Sequence, residues 1–323
     1  SLTFSVDMVL RAAYIIFLLF FYINSLKGAR VLVTGASTGI GEQLAYHCAR
    51  LGAQLVITAR RGNVLEQVVS KCLEMGAQRA LFISADMASP SDAESVMQYA
   101  IEQLGGLDYL VLNHIGLSPY RMWNGEVEHT RWLLEVNFLS YAQMTQKALP
   151  TLEKSNGSIV VVSSLLGKMC GPFALLYAHE LAMQKSNVSI TICILGLIDT
   201  DSAMEKIKGY INMTAYPAHE AAWHIIEAGA SRQSETFYPW YTFYACLFRD
   251  WSPTTGIRRF KTPTHIIHKL IRNQLLEADS FIEIYVWSRA LAVKACALTH
   301  QALVLMRVLS SSPYIYKKYY MIN

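Results

Sequence analysis

The stretch Thr34-Gly35-Ala36-Ser37-Thr38-Gly39-Ile40-Gly41 constrains this chain more than any other, because an apolar run, Arg30 to Val33, enters it and a helical pattern leaves it. Glycine at 35 permits a tight turn with no Cβ penalty. Glycine at 39 lets backbone approach a pyrophosphate, and glycine at 41 lets the next helix lie close to a sheet. The first amides of that helix, at the positive end of its dipole, would face an anion. A glycine triplet alone is also compatible with a plain turn. The strand before it and the helix after it select the phosphate cradle.

Short apolar runs recur downstream at Gln54 to Thr58, Ala80 to Ser84, Tyr109 to Leu112, Ser158 to Val162 and Ser189 to Leu195, with helical patterns between them. Continuous apolar strands separated by helices predict a parallel sheet covered on both faces. The right-handed crossover rule makes this a Rossmann-type, doubly wound α/β fold with its ligand at the carboxyl ends of the strands. The chain has 323 residues, of which 53% are hydrophobic and 16% charged, enough for one such domain plus appendages. A net charge of +4 with no dense Lys/Arg cluster argues against a nucleic-acid partner. Six scattered cysteines without a Cys-x-x-Cys pair argue against a zinc or redox site.

After the second run comes Ala59-Arg60-Arg61, where an NAD-binding chain would usually offer a carboxylate to the ribose 2′-hydroxyl. Two guanidinium groups there favour a 2′-phosphate and hence NADP(H), although arginines at a strand end in solvent would look the same. The segment Glu126 to Lys154 reads as one long helix with Asn137 inside it, an unfavourable interior residue because its amide competes for backbone bonds.

The Gly-x-x-x-Gly-x-Gly spacing after Thr34, Asn113-His114-Ile115-Gly116, the Glu-Val-Asn-Phe segment around Asn137, and Ser164 thirteen residues before Tyr177 together resemble the short-chain dehydrogenase/reductase family. Within it, Leu112 to Ile115, Glu135 to Ser140, Asn156 to Ser164 and Leu195 to Thr200 read like the 11-beta-hydroxysteroid dehydrogenase type 1 group and its "1-like" members. The resemblance spans roughly residues 8 to 250. It implies a cofactor site formed by Gly35, Ser37, Thr38, Gly39, Ile40, Gly41, Arg60, Arg61, Asp86, Met87, Asn113, His114, Ile115, Ile198 and Thr200, with Asp86 accepting from the adenine amine. It implies catalytic roles for Tyr177 in proton exchange, Ser164 on the substrate oxygen, and Asn137 in a relay through a water.

One departure is sharp. The family needs Tyr-x-x-x-Lys, and the fourth residue after Tyr177 is Leu181. By comparison with the family, roughly fourteen residues of a helix are absent between Ala178 and His179, yet the twenty-four residues from Leu165 to Val188 exceed the dozen or so that a parallel crossover needs. The missing helix is, by resemblance, part of a dimer interface, so a homodimer is expected in weakened form.

Three segments complete the chain: 1–27, 28–250 as the dehydrogenase-like domain, and 251–323 as a helical extension. Residues 8 to 26 are apolar apart from Arg11, Asn24 and Ser25 and measure roughly 28 Å as a helix, about one hydrocarbon thickness. No small-x-small cleavage site follows, which favours an uncleaved signal-anchor in membrane lipid over a secretory signal. Asn156, Asn187 and Asn212 each open an Asn-x-Ser/Thr sequon, consistent with a lumenal, glycosylated domain at the endoplasmic reticulum. Helices are expected over Asp199 to Lys208 and Pro217 to Gly229, with Pro217 at the first helical position and Gly229 as the C-terminal cap. In and between them, Met204, Ile207, Tyr210, Ile211, Met213 and Tyr216 suit a lipophilic substrate such as a steroid, or a core or dimer surface. In the tail, Arg289, Cys296, His300 and Arg307 share one face of a pattern from Phe281 to Leu309, as in a helix lying on a membrane or on the sheet; read-through sequence without selected structure fits as well. Three functional readings follow: an NADP(H)-dependent oxidoreductase on a lipophilic hydroxyl or ketone, a cofactor-binding relative without turnover, and an unstable product of an aberrant transcript.

Overall fold

A computed structural model of the chain describes residues 25–116, 125–165, 186–207 and 215–251. The expected sheet forms. In order, β1 (Arg30–Thr34), α1 (Gly39–Arg50), β2 (Gln54–Ala59), α2 (Gly62–Glu74), β3 (Arg79–Ser84), α3 (Pro90–Leu104) and β4 (Tyr109–Leu112) make the first half. The second half runs α4 (Val127–Leu134), a π-turn (Glu135–Leu139), α5 (Ser140–Ser155), β5 (Ser158–Ser164), β6 (Ser189–Leu195), β7 (Ile198–Asp199) and α6 (Asp201–Ile207). It ends with β8 (Tyr216–Pro217), α7 (Ala218–Ala230), β9 (Glu235–Tyr238) and α8 (Tyr241–Trp251).

Seven strands pair in the order β3-β2-β1-β4-β5-β6-β9, every pair parallel. Strands β1, β2 and β4 are short apolar runs buried almost throughout, the edge strand β3 is mostly half-buried, β5 and β6 are each buried over part of their length, and each face of the sheet has its own core. One core packs Leu44, Ala45 and Cys48 of α1 and Leu65 and Val68 of α2 against Val31, Val33 and Ile57. The other packs Val96 and Met97 of α3 and Met144 and Ala148 of α5 against Leu32, Leu110 and Ile159. The chain leaves β1 toward β2 and β3, then returns to place β4 on the other side of β1. That reversal opens the crevice in which doubly wound sheets bind ligands.

The shortened crossover leaves the sheet intact, since β5 and β6 pair in register over seven residues, from Ser158 with Ser189 to Ser164 with Leu195. At their amino ends, Ser189 Oγ donates to Ser158 Oγ at 2.7 Å. Arg232 there donates to the Asn156 carbonyl at 2.9 Å and to the Gly157 and Asn187 carbonyls.

Three expectations are corrected. The helix around Asn137 is not one regular element but two α-helices joined by a π-turn. Pro217 lies just before α7 rather than at its first position, and Gly229 is inside α7, where a Cβ would come 2.7 Å from Val160 Cγ2; the need at 229 is close helix–sheet packing, and Ser231 is the cap. The seventh strand, β9, was not foreseen. Among the described residues no helix is long and apolar enough to cross a membrane; of the expected anchor at 8–26 only Ser25 and Leu26 are described, and the 252–323 tail lies outside the described residues.

Candidate active site

The site is built at the carboxyl ends of β1, β2, β4 and β5. Gly35 and Gly39 sit at φ +66° and +63°, a left-handed conformation that side chains with a Cβ seldom adopt. A Cβ at Gly35 would lie 2.7 Å from His114 Cα, and one at Gly39 would lie 2.9 Å from Thr200 Cγ2. Gly41 has a different reason from the one its spacing suggested. A Cβ there would meet the Gly35 carbonyl oxygen at 2.2 Å, so it is the loop folding back on its own helix, rather than the sheet, that requires glycine. The loop is therefore a cradle that added methyl groups would fill. Thr38, at the N-cap of α1, makes no side-chain capping bond, and the first amides of α1 suit a phosphate as partner.

Arg61 lies over this loop, its Nη2 donating to Ser37 Oγ at 3.2 Å and to Thr38 Oγ1 at 3.4 Å. Arg60 is exposed beside it, and its carbonyl accepts from Ser84 Oγ at 2.9 Å. A cation pair at the loop's edge with no carboxylate at the end of β2 fits a 2′-phosphate better than a bare ribose. Asp86 is exposed past β3; its Oδ1 accepts from the Ala88 amide at 3.0 Å while its own amide donates to Asp92 Oδ2 at 2.9 Å. Met87, by contrast, is 6% exposed and belongs to the core.

The end of β4 is tied to the end of β1. The Asn113 amide donates to Thr34 Oγ1 at 2.9 Å, and Asn113 Nδ2 donates to the Thr34 and Gly35 carbonyls at 3.1 and 3.3 Å. Asn113 thus braces the loop from the side, leaving Ile115 62% exposed at the mouth of the crevice. Across from it, the Asn137 side chain and Gly116 exchange two hydrogen bonds. The Gly116 amide donates to Asn137 Oδ1 at 2.6 Å and Asn137 Nδ2 donates to the Gly116 carbonyl at 3.2 Å. Ser164 ends β5 in the same row of strand ends. Ile198 is buried in β7, and Thr200 accepts from the Ala203 amide at 3.3 Å at the start of α6 while its methyl faces Gly39. Tyr177 and Leu181 lie outside the described residues.

Two residues at the centre of this arrangement were not singled out by sequence. Buried Thr34 receives the Asn113 and His114 amides on one hydroxyl oxygen. Tyr141 donates to the His114 carbonyl at 2.6 Å, its ring edge-on to the imidazole with centroids 4.5 Å apart, and burial pushes its phenol pKa upward. A polar residue closing an apolar strand was the available signal for Thr34; Tyr141 carried none. The residues that could hold a dinucleotide thus lie around the β1–β4 crevice, with the end of β5 in the next strand and Asn137 of the π-turn bonded to Gly116.

The model of the family described as short chain dehydrogenase matches residues 29–211. The hydroxysteroid 11-beta-dehydrogenase 1-like protein of Danio rerio is 81% identical over 244 residues, covering 71% of this chain and 85% of the relative. Its counterpart of the same name in Gallus gallus is 56% identical over 232 residues, covering 68% and 81%. Among solved structures, a short chain dehydrogenase from Burkholderia cenocepacia in complex with NADP superposes with a TM-score of 0.57 at 24% identity, covering 65% of this chain and 95% of that one. L-Sorbose reductase from Gluconobacter frateurii, complexed with NADPH and L-sorbose, superposes with a TM-score of 0.58 at 20% identity, with the same shares covered. At such identities the two structures speak for the fold.

Proposed function

Because this chain belongs to the short-chain dehydrogenase family of oxidoreductases, we propose that it is an NADP(H)-dependent member of hydroxysteroid dehydrogenase type, acting between a hydroxyl and a ketone on a steroid or another lipophilic substrate. The observation that carries the cofactor choice is Arg61 anchored on Ser37 and Thr38, beside Arg60, at the end of β2, where the sequence Ala59-Arg60-Arg61 has no carboxylate. The bound NADP of one structural relative and the names of the sequence relatives support the same reading.

When bound, the dinucleotide supplies or accepts the hydride. The amides of the Gly35–Gly41 loop would hold its pyrophosphate and Arg60 and Arg61 its 2′-phosphate. Asp86, Asn113, Ile115 and Thr200 would line the rest, with Met87, His114 and Ile198 contributing backbone only. Ser164 would orient the substrate oxygen, Tyr177 exchange its proton, and Asn137 hold a relay water.

Leu181 in place of lysine favours a second reading, a cofactor-binding protein of low turnover. A phenol with an ordinary pKa near 10 is ionised in about one molecule in a thousand at pH 7. An ammonium at about 4 Å in an effective dielectric of about 20 supplies on the order of 4 kcal/mol, roughly three units of pKa before desolvation opposes it. We propose further that residues 8–26 anchor the chain at the endoplasmic reticulum membrane with its domain in the lumen, the alternative being secretion after cleavage. A homodimer would be weakened by the shortened helix.

The test measures NADPH binding and NADPH oxidation separately, with a steroid ketone, for the full chain and for a form with a family-like lysine-bearing helix inserted after Ala178. Tight binding with turnover raised by up to about a thousandfold on repair supports both the enzyme class and the role of the lysine. Equal turnover of the two forms would remove the lysine from the account. Absence of NADPH binding would overturn the cofactor assignment.

A further inference from the structure

His114 is 8% exposed and joined to three elements, yet the phosphate cradle uses only its backbone. Its Nε2 lies 3.1 Å from the Val136 carbonyl and 2.8 Å from Ser140 Oγ, both in or beside the π-turn. Its Nδ1 lies 2.8 Å from Thr34 Oγ1 at the entrance to the glycine loop. A carbonyl only accepts, so Nε2 carries the hydrogen and Nδ1 is left as an acceptor; the single Thr34 hydroxyl hydrogen lies between it, at 2.8 Å, and the Val111 carbonyl, at 3.1 Å.

The π-turn explains why the Val136 carbonyl calls for such a donor. The Ser140 amide bonds to the Glu135 carbonyl, five residues back, and bypasses Val136, four back. The Val136 carbonyl accepts the Ser140 hydroxyl instead, at 2.7 Å, together with the His114 Nε2–H. An interior carbonyl deprived of its donors bears its full desolvation cost, so these two side chains make the irregular turn tolerable. The turn in turn sets where Asn137 points. Returning it to α geometry shifts the register by up to one residue, a rotation of about 100°, and would carry the Asn137 amide away from Gly116.

We propose that His114 is a positioning residue: by donating to the Val136 carbonyl from an anchor on Thr34, it locks the π-turn in the register that holds Asn137 against Gly116, coupling the relay position to the phosphate loop. The importance of Asn137 rests on the oxidoreductase reading; the clamp itself does not.

The experiment compares the full chain in mild detergent with His114→Leu, which fills the space without a donor, and His114→Gln, whose amide N–H can reach the place of Nε2. Amide hydrogen exchange is followed at Gly116 and residues 135–141 without cofactor, and NADPH affinity is measured in parallel. Loss of one net hydrogen bond corresponds to about tenfold. Exchange at these amides should rise about tenfold in His114→Leu and stay near the unmodified rate in His114→Gln. Unchanged exchange in His114→Leu, or equal acceleration in both variants, would overturn the proposal. Nitrogen NMR of the imidazole in the unmodified chain decides independently if His114→Leu does not fold: an Nε2–H tautomer is expected, and an Nδ1–H tautomer refutes the clamp. Failure of the unmodified chain to bind NADPH would instead overturn the cofactor reading while the exchange comparison still judges His114.

Discussion

Acidification should destabilise this domain through His114 by an amount that follows from its surroundings. Burial lowers its pKa from the usual 6.5 to about 4, with the Val136 carbonyl acting weakly in the opposite direction. The folded pKa lies below the unfolded one, so between those values the unfolded chain binds more protons. The stabilisation is therefore complete above about pH 6.5 and is lost as the pH falls toward 4. At pH 5 about 97% of unfolded chains but only about 9% of folded ones carry the proton, and linkage gives a loss of about 1.8 kcal/mol between pH 7 and pH 5. His47 and His224, whose pKa values burial also lowers, add losses of the same sign. Asp108 acts in a more acidic window: burial opposes its ionisation, but hydrogen bonds from Arg30 outweigh that and hold its pKa below 3.8. Urea unfolding of the full chain at pH 7, 6 and 5, beside His114→Gln, isolates the one imidazole. The variant should lose about 1.8 kcal/mol less than the unmodified chain over that interval. Parallel pH slopes would refute the inference that a neutral, buried His114 is part of the fold.

Replacing both Arg60 and Arg61 by alanine should remove a preference for NADPH over NADH at about 1.5 to 3 kcal/mol for each charged hydrogen bond lost, read as the ratio of the two dissociation constants; equal affinities in the unmodified chain would contradict the assignment. In cells, glycosidase digestion should increase gel mobility and carbonate should leave the chain in the membrane pellet. A carbonate-soluble, unglycosylated chain would contradict the lumenal anchor.

Much of the sheet was legible because burial on both faces forces continuous apolar runs, and β1 to β6 fall on those runs nearly residue for residue. β9 was hidden: Glu235-Thr236-Phe237-Tyr238 is a short edge strand with one neighbour, and its mixed composition carries no such constraint. The glycine loop was legible because backbone at positive φ strongly favours glycine, although the contact at Gly41 was not. Asn137 stood out as a poor helix residue, but the π-turn that accounts for it depends on hydrogen bonds from His114 and Ser140, which sequence spacing does not encode. Thr34, His114 and Ser140 meet only after β1, β4 and the π-turn have packed. Their partnership is tertiary information.

The bond between Ser158 and Ser189 sets an order of events. Both hydroxyls belong to sequons, Asn156-Gly157-Ser158 and Asn187-Val188-Ser189, and the sequon hydroxyl is part of what a glycosyl-transferring enzyme must recognise. In the finished sheet Ser158 is 3% exposed and its oxygen receives the Ser189 hydrogen, although Asn156 itself remains at the surface. A sugar on Asn156 must therefore arrive before β5 and β6 zip together. The two serines are 31 residues apart, so at ordinary synthesis rates the second follows the first by about 2 to 6 seconds, an interval in which the Ser158 hydroxyl has no Ser189 to pair with. In a lumenal domain, occupancy at Asn156 would then serve as a clock: anything that hastened the pairing of these strands would leave more chains bare at that position, and anything that delayed it would leave more of them sugared.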